Sequence, residues 1–308
     1  MTVPALVVPS LGGPSLGRCL EAIAGQRLAP SPTIVVLSGQ GADGAVPNWV
    51  RAVRSKRRLG FAAAVNAGFD ALPDPLPDVA LLNDDAIPDS EWLSALVASL
   101  RKDASRAAVQ GTVLDATGST VDGRGISLDE FGLPVQVDQG LPAGHEPLEA
   151  VPRLAVSATA VLLRGRALDT VRLDGGAILD PSFGSYHEDL DLGLRLARLG
   201  WISAWVPGAA AMHVGSATGR RLLWRHPWWL LANRWRALAG NLTLSALAAG
   251  VPRLVRGELR AIRSLARSNA RVWVVAPAVA AAVPCLVARG LARRSPGPRL
   301  RAVPWGRP

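Results

Sequence analysis

Cysteine is almost absent from this chain: Cys19 and Cys285 are the only two among 308 residues, far apart and without a C-x-x-C partner. A disulfide scaffold, a thiolate metal site and a redox pair are thereby excluded, and a reducing cytosol fits. Tyrosine occurs once and phenylalanine four times. That leaves little of the stacking surface that single-stranded nucleic acids use. No basic stretch precedes the first apolar run, residues 3–8, which is short; it reads as a strand and not as a signal peptide. Charged residues make up 19% against 49% hydrophobic ones, enough to build a core and too apolar for global disorder.

Acidic residues are missing from one region in particular. Residues 1–216 hold 17 basic and 23 acidic side chains, a balance of −6, whereas residues 217–308 hold 17 basic and only Glu258, a balance of +16. Six of the ten tryptophans also fall in the second region. Such asymmetry predicts two parts: an acidic, substrate-handling domain over 1–216 and a basic Trp/Arg-rich helical region over 217–308. Trp and Arg interleaved with aliphatic residues favour an anionic membrane surface as partner, and no nucleic acid.

The first part alternates short apolar runs with helical spacing. Residues 3–10, 33–37 and 79–82 read as strands, and residues 16–26, 59–69 and 90–100 as helices. A βαβ opening of this kind implies a parallel sheet with ligands bound beyond the carboxyl ends of its strands. Residues 9–13 and 38–44 are therefore expected at the rim of a site. Residues 109–150, rich in Gly, Asp and Pro, read as irregular with short strand-like pieces, and 155–163 and 202–206 read as further strands. Residues 190–199 are ambiguous, since Leu190, Leu192, Leu194 and Leu196 alternate as in a strand while Leu192, Leu196 and Leu199 follow helical spacing. Acidic residues before them, Arg195 and Arg198 near their end and Gly200 beyond favour a helix.

Two acidic groups carry candidate chemistry. Asn83-Asp84-Asp85 ends an apolar strand, which places carboxylates at the sheet edge, where Mg²⁺-class cations are held by one or two carboxylates plus substrate phosphates; a solvated turn and helix cap is the other reading. His187-Glu188-Asp189-Leu190-Asp191 crowds three carboxylates into four residues. Crowding raises a carboxyl pKa toward the range of a general base, although helix capping accounts for the same residues. His213, after the last strand, is either a metal ligand or a structural histidine.

In order and spacing these pieces resemble the inverting family 2 glycosyltransferases of the GT-A fold, especially the rhamnosyl- and galactosyltransferase-like branch, over residues 3–218. The motifs are Val7-Val8-Pro9-Ser10, the stretch 59–68 with Asn66, Asn83-Asp84-Asp85, Glu188-Asp189-Leu190-Asp191-Leu192 followed by Arg195 and Gly200-Trp201, and Val206-Pro207 ahead of His213. The resemblance implies an α/β, Rossmann-like, mainly parallel sheet with flanking helices. It also implies a UDP- or dTDP-sugar donor and a glycan or polyprenyl-linked acceptor. The nucleotide side is assigned Pro9, Ser10, Ser38, Arg58, Gly60, Asn66, Asn83 and Asp84. Asp85 and His213 are assigned to a divalent cation, Mg²⁺ or Mn²⁺, and Asp189 is the catalytic base with Glu188 and Asp191 beside it. A nucleotidyltransferase on a related sheet, or a catalytically silent sugar-binding scaffold, are the alternatives.

The basic region has helical geometry. At 100° per residue, with Leu254 at 0°, Leu254, Val255, Leu259, Ile262, Leu265 and Ala266 fall between about 0° and 140°. Arg253, Arg256, Arg260, Arg263, Arg267 and Arg271 fall between about 180° and 260°, leaving Glu258 a misfit near 40°. Residues 272–288 carry no charge. Pro277 and Pro284 interrupt them, so the expectation is an interfacial or re-entrant segment at the cytoplasmic face of the cell membrane, with a single span as the alternative.

Overall fold

The computed structural model describes residues 3–43, 45–144, 146–215 and 224–302. Gly44 of the expected rim and Ser216 at the expected domain end lie outside the described residues. The elements in chain order are β1 (Ala5–Ser10), α1 (Pro14–Ala24), β2 (Thr33–Ser38), β3 (Val50–Ser55), α2 (Phe61–Phe69), β4 (Val79–Leu82), β5 (Ala86–Pro88), α3 (Trp92–Lys102), β6 (Arg106–Leu114), β7 (Val121–Gly123), β8 (Ile126–Leu128), β9 (Pro134–Gln136), β10 (Val151–Arg153), β11 (Ala160–Leu163), α4 (Gly165–Thr170), α5 (Glu188–Arg198), β12 (Ile202–His213), α6 (Arg225–Asn241), α7 (Leu244–Ala266) and α8 (Val272–Ala292).

The main sheet runs β10-β12-β6-β11-β4-β1-β2-β3, with β5 paired to β12 and β7 to β6. Strands β3, β2, β1 and β4 are mutually parallel, and β12 is parallel to β6. Strand β11 is antiparallel to both its neighbours, so the sheet is mixed at its centre. Strand alternation sorts the side chains onto two faces. Leu6, Val8, Leu37 and Leu82 pack with Ile23 and Trp92 of α1 and α3. Val7, Val36 and Leu81 pack with Val65 of α2 and Leu192 and Leu196 of α5 on the opposite face.

The structure adds to three readings. Residues 109–150 are short strands (β7, β8 and β9) joined by irregular chain, as expected, apart from residues 109–114, which complete β6, a nine-residue, almost wholly buried strand inside the sheet. The β3 strand went unrecognised because its half-exposed basic residues mask the pattern of an edge strand. Arg195 and Arg198 stand in the last turn of α5 as expected, and both are in addition buried, Arg195 bonding Asp191 at 3.0 Å and the carbonyls of Val171 and Ile178 at 2.6 Å each.

The alternation within α5 has a physical origin. Leu192 and Leu196 face the sheet while Leu190 and Leu194 face α6, in a third core shared with α7 and α8. A helix buried on two opposite sides shows apolar residues every second position. α6 packs Leu231, Trp235 and Leu238 into that third core together with Leu190 and Leu194, so the packing is continuous across residue 216.

Candidate active site

Beyond the carboxyl ends of β1, β2 and β4 lies a cavity of about 690 Å³. Pro9 and Ser10 end β1, Ser38 ends β2, and Asn83, Asp84 and Asp85 follow β4; all line it, as do Arg58 and Gly60. A parallel sheet delivers its strand ends to one edge, which is why residues so distant in sequence meet there.

Asp84 accepts a 2.5 Å hydrogen bond from Ser10 Oγ. Burial pushes its carboxyl up to about 6, with the Asp85 charge adding and the Ser10 bond opposing. Asp85 Oδ1 sits 3.4 Å from His213 Nε2, and His213 Nδ1 is 2.9 Å from Asp122 Oδ2. Burial disfavours the charged imidazolium, but the hydrogen bonds to Asp122 and Asp85 outweigh it and raise His213 to about 9. Among the described residues no three His, Cys, Asp or Glu side chains converge on a metal-sized point. Asp85 would be the carboxylate ligand of a cation that completes its shell with diphosphate oxygens and water, the usual mode for Mg²⁺-class ions on substrates, and His213 would join it only after losing the Nε2 proton that Asp85 favours.

The far wall is the first turn of α5. Asp189 accepts from the backbone N–H groups of Leu190 at 2.8 Å and Ala158 at 3.4 Å. Burial nevertheless raises its pKa, those hydrogen bonds offsetting only part. Glu188 is pushed well above the carboxylate range by burial and then by the charges of Asp189 and Asp191. Three buried polar atoms on the cavity wall lack a partner among the described residues: Asn83 Oδ1, His187 Nδ1 and Glu188 Oε2.

Two expected residues do not reach the cavity. Asn66 is buried on α2 and spends its amide on the Leu179 backbone, at 2.7 and 3.0 Å. Asp191 is fully buried beneath the site, bonded to Arg195, to Asn241 at 2.8 Å and to Arg293 at 2.5 Å. The Arg293 and Arg195 charges overcome burial and hold its carboxyl below the usual range. Its helical position, two residues past Asp189, turns it away from the wall.

Sequence reading missed two parts of the site. Asp122 lay in the stretch read as irregular, where an isolated acid carries no motif. The lid-like wall formed by Arg225, Trp229 and Leu230 of α6 was assigned to the membrane region. Gly184 has φ +67, and a Cβ there would come within 2.7 Å of the Trp229 ring. Gly60 lies against Gly184 in turn, a Cβ at Gly60 falling 2.6 Å from the Gly184 carbonyl oxygen. Glycine at both positions lets α2, the 184 loop and α6 close on one another.

The sequence profile described as "Glycosyltransferase like family 2" matches residues 4–236. The chain belongs to this family. It is a glycosyltransferase of the GT-A fold, and the matched span reaches well into α6. Across 305 residues it is 28% identical to N-acetylglucosaminyl-diphospho-decaprenol L-rhamnosyltransferase of Mycobacterium tuberculosis, covering 85% of this chain and 95% of that one. Among solved structures, GalNAc-T7 with UDP, GalNAc and Mn²⁺ superposes with TM-score 0.59 at 16% identity, over 79% of this chain but only 48% of that one. The Pyrobaculum calidifontis mannosyltransferase PcManGT with GDP-Man and Mn²⁺ gives TM-score 0.54 at 15% identity, over 94% and 80%. At these identities the structures establish the fold shared with the enzyme.

Proposed function

We propose that the enzyme transfers a sugar, with inversion at the anomeric carbon, from a UDP- or dTDP-sugar to a hydroxyl of a polyprenyl-diphosphate-linked glycan at the cytosolic membrane surface. The observation that carries this reading is one cavity with Asp85 and His213 on one wall and Asp189 on the other. The curated rhamnosyltransferase, whose name specifies a decaprenol-linked acceptor, supports the acceptor class.

In this reading Pro9, Ser10, Ser38, Arg58 and Gly60 surround the nucleotide, and the unpartnered Asn83 Oδ1 accepts from a ribose or sugar hydroxyl. Asp84, tied to Ser10, shapes the same wall. Asp85, with His213 once it gives up its Nε2 proton, would hold Mg²⁺ or Mn²⁺, and the cation would supply charge neutralisation for the diphosphate leaving group. Asp189 takes the acceptor hydroxyl proton as that oxygen attacks the anomeric carbon and the bond to the diphosphate breaks. Glu188 stands next to it as a binding group for the sugar.

Product stereochemistry by NMR together with Asp189→Asn tests the mechanism. The variant keeps shape but cannot take a proton, so kcat should fall at least about 100-fold while donor affinity changes little. Retention of configuration, or near-parental turnover by Asp189→Asn, overturns the assignment. Thermal stabilisation by a panel of nucleoside diphosphates, with and without Mn²⁺ or Mg²⁺, reads out the preferred base.

A further inference from the structure

The outer halves of α7 and α8 are apolar, exposed and unused by the site. On α8 the buried residues Val272, Val275, Ala276, Val279, Leu286 and Gly290 fall on one half of the helix. With Trp273 at 0° they occupy about 200° to 300°. The other half, from Trp273 through Val274, Pro277, Ala281 and Cys285 to Ala288, is exposed and has no charge. At 1.5 Å per residue this strip is about 22 Å long, and Val274 is 65% exposed.

The apolar sector of α7 is split in the same way. Leu247, Leu254 and Gly257 pack inward. Leu244, Val251, Val255 and Leu259, at about 60° to 140° on the helix wheel, face outward, Leu244 being 63% and Leu259 51% exposed. Beside that strip run the exposed arginines Arg256, Arg260, Arg263 and Arg267. The misfit Glu258 turns inward, where it pairs with Arg234 and accepts from Trp235 Nε1 at 3.1 Å. No carboxylate of the region is left to neutralise the outward arginines. Charge complementarity therefore selects an anionic lipid surface over a second copy of the chain, whose matching face would bring arginine against arginine.

α8 is the one helix among the described residues that is long and apolar enough to cross a membrane. Its packing opposes a crossing. It runs beside α6 from Arg271, stacked on Trp224 at 5.6 Å, to Gly290, against Ala239 and Gly240. α6 in turn carries the buried Asn233 and Asn241, bonded to the Phe183 carbonyl and the Asp191 carboxylate of the catalytic domain, and the buried Arg234, bonded to the Leu254 carbonyl and Glu258 of α7. Hydrocarbon admits such groups at high cost, and peeling α8 away would open the third core.

We propose that the outward faces of α7 and α8 form an in-plane docking surface for an anionic bilayer leaflet, with α8 half-immersed along its length. This rests on the membrane-surface part of the proposed function and specifies how the enzyme meets the bilayer.

Cys285 lies on the immersed strip, and Cys19 is buried, so the full-length protein can be labelled at Cys285 with an environment-sensitive NBD fluorophore. With phosphatidylcholine vesicles containing phosphatidylglycerol, at low salt, its emission should shift blue and iodide should lose access to it. Shallow nitroxide lipids should quench it more than deep ones. Val274→Glu and Leu259→Glu, both at exposed positions and checked for parental melting, should each weaken vesicle binding about tenfold. Vesicle binding with the label still open to iodide would show that another surface docks, overturning this inference alone. Dominant quenching by deep nitroxides would replace it with a span, and a dimer that shields the label without vesicles would replace it with self-association. Absence of vesicle binding would sink both it and the membrane-surface reading.

Discussion

Glu188 and Asp189 are adjacent carboxyls whose folded-state pKa values both lie above their ordinary ones. For such a group the folded state gains from protonation. That gain is complete below the unfolded value, near 4, and is lost as pH rises through the raised folded value. Glu188→Gln stays neutral throughout. Urea unfolding should find it more stable than the parent above about pH 5 and equal to it below about pH 4; parallel curves across that window would deny Glu188 its buried, unpartnered state. In the proposed mechanism the same shift at Asp189 acts on rate, since a base must be ionised to work. The acid limb of the kcat profile should fall at a pH above the ordinary carboxylate range and vanish in Asp189→Asn. Asp85→Ala makes a separate prediction: calorimetry should show the loss of the cation-dependent part of nucleoside diphosphate binding, with parental melting. Retention of that part would move the cation elsewhere.

At the scale of elements, the loop ahead of α5 is held by α6. Asn233 donates to the carbonyls of Phe183, Ser185 and Tyr186 at 2.8, 2.9 and 2.9 Å, and Arg236 donates to Ser182 at 2.6 Å. Tyr186 and His187 have φ near +69° and +67°, a strained backbone immediately before Glu188 and Asp189 that persists only while its surroundings hold it. Asn233→Asp cannot donate, so kcat should fall about tenfold or more with a smaller change in donor KM; unchanged kcat would make the clamp irrelevant to catalysis. None of this clamp was legible in the sequence, because its donor and acceptors stand about 50 residues apart and carry no local pattern. What was legible is local: the apolar strands ending in Ser10, Ser38 and Asn83 already place the cavity edge. The acidic run at 188–191 marked the far wall, yet it could not say which acids face inward. Helix geometry and the burial of α5 on two sides sort Asp189 from Asp191, and that burial appears only when α6 is in place.

Across the whole molecule the −6 and +16 halves suggested a catalytic domain with a basic appendage, whereas the packing makes α6 to α8 a structural part of the enzyme. α6 closes the cavity with Trp229, buries Leu190 and Leu194, and supports the loop ahead of α5. A chain ending at residue 216 should expose that core and fail to melt cooperatively. The segment after α8 has a narrower task, and a chain ending at Ala292 isolates it. That deletion removes Arg293 from Asp191 and Asp180 and takes Ser295 Oγ and the Pro298 carbonyl from Arg198, at 2.8 and 2.9 Å. Asp191 keeps Arg195, so the cost belongs near the lower end for a broken buried pair, about 3 kcal/mol. Its depressed folded pKa sets the sign: the stabilisation is present above about pH 4 and fades as pH falls further. The stability difference between the full chain and the one ending at Ala292 should therefore be largest near neutrality and shrink in acid, while binding to anionic vesicles persists because α7 and α8 remain. A difference independent of pH would assign the tail a packing role and leave the Asp191 ion pair without one.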